Sequence, residues 1–272
     1  MTELTAPRPS DAVPCAFGVA GAPLERLLGG QGQTRRAGDV VFRPHGDATE
    51  AQWRSDTLAR LPHTAAFRTP RPVPTTGGGW LAGGYEAWEW LDGTTDPTRV
   101  DDVIAAGAAF HRAVAGLPRP AFLDRLDGPW ATADRLVWDA PLPTDPMLDR
   151  LAAVFRPVAS PSQLIHGDLL GNVLFADGQP PAVFDWAPYW RPAGLGAAIA
   201  AVDAVCWHGV PLDRLRALGT GVPEWSQLLV RALAFRIVTL HELGAWDHGQ
   251  ADHHRPVVDA LVQGAAGTLV VS

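Results

Sequence analysis

Apolar and polar positions change rhythm near residue 91. Before it, apolar runs are short and broken by glycine, proline and charge: Asp39-Val40-Val41-Phe42-Arg43, Trp80-Leu81-Ala82, and the partly alternating Tyr85-Glu86-Ala87-Trp88-Glu89-Trp90-Leu91. Runs of this length predict strands. A single helix is predicted over residues 49–61, where Ala51, Leu58 and Leu61 are apolar alongside Trp53. The breaker-rich segment 70–79 is a loop, and Asp92-Gly93 ends the sheet. After that, apolar residues recur at helical spacing: Val100, Val103, Ile104, Gly107, Phe110 and Val114 share one face, with His111 beside them as a packing residue. Further helices are predicted over 130–137, 147–155, 194–206 and 225–243. Two short apolar runs interrupt them. Val173-Leu174-Phe175 and Ala182-Val183-Phe184 flank the turn Ala176-Asp177-Gly178-Gln179-Pro180 and predict a hairpin. The organisation expected is a loose arm over residues 1–14, a sheet-rich lobe over 15–91, and a helical lobe over 92–272 with the hairpin segment at 164–186.

Composition narrows the class. A chain of 272 residues with 47% hydrophobic content can bury a real core, and 19% charged residues exclude a disordered acidic tail or a coiled coil. The net charge of −7 argues against nucleic acid and is compatible with a cationic substrate. Cys15 and Cys206 are too few and too far apart for a disulfide framework or a zinc site, so a reducing cytoplasm is expected. Residues 1–14 lack the apolar run of a signal peptide. The longest apolar stretch, 228–240, carries Arg231 and Arg236 and is too short to span a bilayer. His248, His253 and His254 lie near Asp247 and Asp252, but their spacing matches no fixed metal site, and a solvated loop is expected. The chain has no lysine; all 22 basic residues are arginine.

The candidate chemistry sits at the hairpin. His166-Gly167-Asp168 precedes it, Asn172 stands at its entrance, and Asp185 stands at its exit before Trp186. Folding the hairpin gathers two carboxylates and an amide oxygen, a hard-oxygen set suited to magnesium, which commonly also takes phosphate oxygens. His-Gly-Asp, then Asn-Val-Leu, then Phe-Asp-Trp resembles the catalytic and metal-binding segments of aminoglycoside phosphotransferases and choline-kinase-like enzymes, small-molecule relatives of protein kinases. The resemblance implies a two-lobe α+β fold: a small antiparallel sheet with one helix, a larger helical lobe, and ATP in the cleft. It implies Asp168 as the base that takes the acceptor hydroxyl's proton, His166 as the residue that orients the catalytic loop, and Asn172 and Asp185 as magnesium ligands on the nucleotide phosphates. The step from Asp168 to Asn172 is one residue shorter than in most of that family.

In the sheet-rich lobe, Gly29-Gly30-Gln31-Gly32-Gln33-Thr34 lies between apolar runs. Such a turn can lay backbone N–H groups over phosphates. It is not a Walker A loop, since no Gly-Lys-Ser/Thr follows. The resemblance places a phosphate-pairing lysine on the next strand; Arg43 stands there instead, permanently charged and able to bind phosphate bidentately. The family's helix supplies an acid that positions this base, with Glu50 and Asp56 both open. The connector Glu89-Trp90-Leu91 would bind adenine through its backbone. The reaction implied is transfer of the ATP γ-phosphoryl group to a hydroxyl of a small molecule, with no nucleic-acid or membrane partner. A weak or inactive nucleotide-binding protein, or nucleotidyl transfer on the same scaffold, are the alternatives.

Overall fold

The structure, a computed structural model, describes residues 9–27 and 32–267. The elements of the first part are α1 (Ala12–Ala16), β1 (Glu25–Arg26), β2 (Arg35–Ala37), β3 (Val40–Pro44), α2 (Ala48–Arg60), β4 (Leu81–Ala82), β5 (Tyr85–Glu89) and β6 (Thr94–Thr95). Those that follow are α3 (Val100–Val114), α4 (Pro129–Asp139), α5 (Pro146–Ala153), β7 (Ser162–His166), β8 (Val173–Phe175), β9 (Ala182–Val183), β10 (Pro188–Pro192), α6 (Gly194–Trp207), α7 (Arg214–Leu218), α8 (Trp225–Glu242) and α9 (His248–Gly267). The chain divides into two compact units. Unit 1 holds residues 1–94 and 174–184, and unit 2 holds 95–173 and 185–272.

Unit 1 is built on a five-stranded antiparallel sheet in the order β1-β2-β3-β5-β4. Its core is Val13, Phe17, Ala37, Phe42, Tyr85 and Ala87, with the Phe17 and Phe42 rings edge to face at 5.7 Å. Val13 lies within the segment expected to be a loose arm; α1 instead inserts it into the core at 2% exposure. An apolar side chain beside a sheet face gains more from burial than a short helix costs in entropy; residues 1–8 of the expected arm lie outside the described residues. Helix α2 starts where Asp47 accepts from the Glu50 N–H, a side-chain cap at its N-terminus. The hairpin strands group with this unit through Arg68, whose N–H donates to Pro181 and whose carbonyl accepts from Val183.

Unit 2 is helical around α6, which is almost wholly buried and apolar apart from Asp203. Around it pack α3 and α8, and α8 packs in turn against α4 and α9. Asp145 caps α5, accepting from the Met147 and Leu148 N–H groups, with Pro146 in the first turn. The segment expected as a solvated histidine loop is α9. Asp247 accepts from the Gln250 N–H at its start, and His254, Val257, Val258 and Leu261 are buried. Pro256 inside the segment hid the apolar spacing that follows it. Among the described residues, no three His, Cys, Asp or Glu side chains gather as a metal site, and no helix is long and apolar enough to cross a membrane.

Candidate active site

Strand β7 delivers the His-Gly-Asp segment. It pairs antiparallel with β10, setting His166 opposite Pro188 and Ile165 opposite Tyr189, and the Gly167 N–H continues the ladder to the Ala187 carbonyl at 3.0 Å. Tyr189 explains Gly167: a Cβ at that position would lie 2.4 Å from the tyrosine ring. The buried His166 turns back on its own loop, its Nδ1 accepting the Asp168 N–H at 3.1 Å. Behind it, His111 is more than a packing residue. Its Nε2 accepts the His166 N–H at 2.9 Å and its Nδ1 donates to the Ala193 carbonyl at 3.1 Å, which assigns the neutral tautomer. Burial, aided by His166, holds the His111 pKa down at about 3, in keeping with that neutral state.

The short loop after Asp168 closes as a turn, Asn172 N–H donating to the Leu169 carbonyl at 2.9 Å with Gly171 at φ 86°. The turn brings Asn172 back to Asp168: its Nδ2 donates to the Asp168 carbonyl at 2.6 Å and to Asp168 Oδ2 at 3.2 Å. The amide nitrogen is thereby committed to Asp168. The other Asp168 oxygen, Oδ1, accepts from Arg236 Nη2 at 2.8 Å. Arg236 also grips Asp203, with Nε donating to Oδ1 at 2.8 Å and Nη2 donating to Oδ2. Burial opposes the guanidinium's charge, but Asp203 and Asp168 outweigh it and raise the Arg236 pKa. From the sequence alone, Arg236 is only an interruption of an apolar stretch. That interruption, one arginine among Phe235, Ile237 and Val238, was the available signal. Asp185 follows β9, exposed and with a left-handed φ of 49°, a conformation that non-glycine residues adopt at a cost and that recurs at functional sites. Trp186 after it is buried, donates to the Ile165 carbonyl at 3.0 Å, and meets Phe110 edge to face at 5.1 Å. These contacts hold the return of the chain into unit 2.

In unit 1, Arg43 lies opposite Glu86 in the β3–β5 ladder, its Nε 3.8 Å from Glu86 Oε1. The acid beside Arg43 is therefore on a strand. Glu50 instead accepts from Arg54 at 2.5 Å, and Asp56 accepts from Trp80 and Gln52. Helix α2 contributes the buried Arg54, whose Nη2 bonds both oxygens of the fully buried Glu86 at 2.9 and 3.1 Å. Of the glycine-rich segment, Gly29, Gly30 and Gln31 lie outside the described residues. Gly32, Gln33 and Thr34 lead into β2 before β3, one strand more than expected. The Gly32 carbonyl accepts from Arg26 and Arg35, and the Thr34 carbonyl accepts from Arg35 and the Leu27 N–H. At the connector, the Glu89 N–H is taken by the Arg71 carbonyl and the Trp90 N–H by the Asp39 carbonyl. Of the three connector residues, Leu91 is the one whose N–H no described residue takes.

The fold is shared with solved phosphotransferases. An aminoglycoside phosphotransferase from Alicyclobacillus acidocaldarius subsp. acidocaldarius aligns over 98% of this chain and 99% of its own, at 17% identity and a TM-score of 0.64. Spectinomycin phosphotransferase in complex with ADP and spectinomycin aligns over 94% and 97%, at 12% identity and 0.57. A thermostable mutant of an aminoglycoside phosphotransferase, in a ternary complex with AMP-PNP and hygromycin B, aligns over 93% and 98%, at 18% and 0.57. A search of curated proteins returns no match. Residues 31–189 match the model of the phosphotransferase enzyme family, a span that is more than half of the chain and includes both the His-Gly-Asp loop and Asp185. On that match the chain belongs to the phosphotransferase enzyme family and is a small-molecule kinase.

Proposed function

We propose that the protein transfers the γ-phosphoryl group of ATP to a hydroxyl of a small molecule, with Asp168 as the base. The observation that carries the reading is the loop from His166 to Asn172. His166 fixes the Asp168 backbone and Asn172 bonds its carboxylate, so a base and an amide oxygen donor are held within one turn. Oδ2 is the oxygen for the acceptor: its bond from Asn172 is long at 3.2 Å, and a carboxylate oxygen has capacity for a second donor. Nucleotide binding is supported by the ADP and AMP-PNP held by similar structures. Asp185 and the Asn172 oxygen are hard donors of the kind magnesium takes together with phosphates. When bound, the ion would neutralise developing charge on the transferred group. Arg43, at 36% side-chain exposure, is the base of unit 1 for the α- and β-phosphates, with Leu91 offering its N–H to the adenine. The chain's own contribution is mostly positioning.

The test is a pair of variants. Asp168→Asn should keep ATP affinity within a few-fold while turnover on the true acceptor falls by about 10²–10⁴, the worth of a positioned base. Asp185→Asn should lose the magnesium-dependent part of ATP affinity, read by isothermal titration with and without magnesium. ADP as product supports phosphoryl transfer, whereas AMP would mark nucleotidyl transfer. Wild-type kcat in Asp168→Asn would remove the base assignment.

A further inference from the structure

The Asp168 side chain is 47% exposed, and the last torsion of a carboxylate is broad. Here both of its oxygens are held. Oδ2 accepts from Asn172 at 3.2 Å, and Oδ1 accepts from Arg236 Nη2 at 2.8 Å. Asn172 belongs to the same loop as Asp168, whereas Arg236 reaches it from α8. We propose that Arg236 is a positioning residue for phosphoryl transfer: clamped by Asp203 of α6, it holds the Asp168 carboxylate in the one orientation that leaves Oδ2 for the acceptor hydroxyl. The inference rests on Asp168 being the base.

The donor geometry carries it. A guanidinium has one N–H on Nε and two on each terminal nitrogen. Nε donates to Asp203 Oδ1 at 2.8 Å. Nη2 donates one hydrogen to Asp203 Oδ2 and the other to Asp168 Oδ1. The fork against Asp203 fixes the guanidinium plane, so the second Nη2 hydrogen points in a single direction. Stability alone does not explain the pair. The Arg236 and Asp203 side chains are 12% and 9% exposed, and a buried ion pair often serves a fold no better than apolar residues of similar volume. Their neighbours along the helices, Val202, Ala204, Phe235 and Ile237, are buried and apolar. What apolar residues at 203 and 236 would lack is an N–H aimed at the base. Arg236 thus ties a loop carboxylate to two packed helices, which hold a position more closely than a loop does.

The test replaces the pair as a unit, because removing Arg236 alone would strand the buried Asp203. Asp203→Leu with Arg236→Met should keep the unfolding temperature close to that of wild type. Turnover is read as ADP release from ATP and magnesium with water as the acceptor. The double variant should lose about 10–100-fold in kcat, the effect of a misplaced reacting group, while KM for ATP stays within about twofold. Arg236→Lys keeps the charge opposite Asp203 but not the fork, and should lose about tenfold in kcat; it also serves if the double variant does not fold. A crystal structure of either variant should show the Asp168 carboxylate in more than one orientation. Wild-type kcat in both variants, or a single unchanged Asp168 orientation, overturns the inference. Asp168→Asn separates it from the reading beneath. On that background the two further substitutions should cost at most about twofold, since Arg236 acts through Asp168; additive losses overturn the inference. If Asp168→Asn collapses turnover and the pair variants do not, the base stands and the positioning role is wrong. If Asp168→Asn turns over like wild type, the base assignment itself has failed, and the inference with it.

Discussion

At the scale of single residues, the informative arrangement in unit 1 is the chain of alternating charges Glu50, Arg54, Glu86 and Arg43. The helix was expected to supply an acid to a strand base; instead the helix supplies Arg54 and the strand supplies Glu86. Cross-strand register puts Glu86 directly opposite Arg43, so pairing needs no reach from the helix. Arg54 then pins Glu86 with two bonds, giving the acid that faces Arg43 a single orientation. Arg43→Ala is expected to weaken ATP by about 10–100-fold, the worth of a charge-assisted contact. Arg36→Ala should cost much less, because Arg36 stacks on Trp90 at 3.8 Å and bonds the Gly38 carbonyl. Arg43→Lys should bind worse than wild type, losing the planar fork. Glu86→Gln removes a buried charge from beneath Arg54 and should destabilise unit 1 by about 3 kcal/mol, measured by thermal unfolding. Equal ATP affinity in Arg43→Ala and wild type would place the phosphates elsewhere.

At the scale of elements, α6 sets the catalytic strand. A Cβ built on Gly196 would stand 2.6 Å from the His166 carbonyl and 2.7 Å from His111 Cε1. The first of these is backbone and cannot swing aside. Gly196→Ala should therefore push α6 away from β7, costing about 1–3 kcal/mol of stability and also lowering kcat through the His166–Asp168 turn. Gly264 on α9 is the opposite case: nothing stands within 4 Å of a Cβ there. Gly264→Ala should stabilise the helix by about 0.5–1 kcal/mol and leave kcat unchanged. Calorimetric unfolding of the two variants should move Tm in opposite directions. A neutral Gly196→Ala would show that α6 does not press on the strand.

At the scale of the whole molecule, buried neutral histidines make stability fall in acid. His111 titrates near 6.5 when unfolded and at about 3 when folded. Its stabilising contribution is full above about pH 6.5. Below that, the unfolded chain binds the proton more readily, so stability declines until the folded site itself titrates near 3. Burial lowers the His254 pKa as well, in the same direction. The total for His111 is at most about 4–5 kcal/mol over the span. Denaturant midpoints measured between pH 8 and pH 4 should fall, and His111→Gln should flatten the curve while starting from lower stability. An unchanged slope in that variant would assign the acid sensitivity to other groups.

Reading the sequence alone was enough for whatever depends on neighbours along the chain. The helical spacing from Val100 to Val114 and the apolar run after Trp225 carry their own periodicity, and α3 and α8 lie where it put them. The His-Gly-Asp, Asn-Val-Leu and Phe-Asp-Trp segments kept their order within about twenty residues, so the family was legible before any coordinate. What the sequence could not decide are contacts between residues far apart in it. Arg236 meets Asp168 across 68 residues, and His111 supports His166 across 55. Such contacts depend on how α3, α6 and α8 pack, and nothing in the local pattern distinguishes an arginine that ends in solvent from one that ends on a carboxylate. The same holds for Glu86, whose role comes from strand register, and for α9, whose buried face exists only because α5 and α8 are there to cover it. Periodicity is a property of one segment, whereas charge pairing belongs to segments brought together by burial of apolar surface.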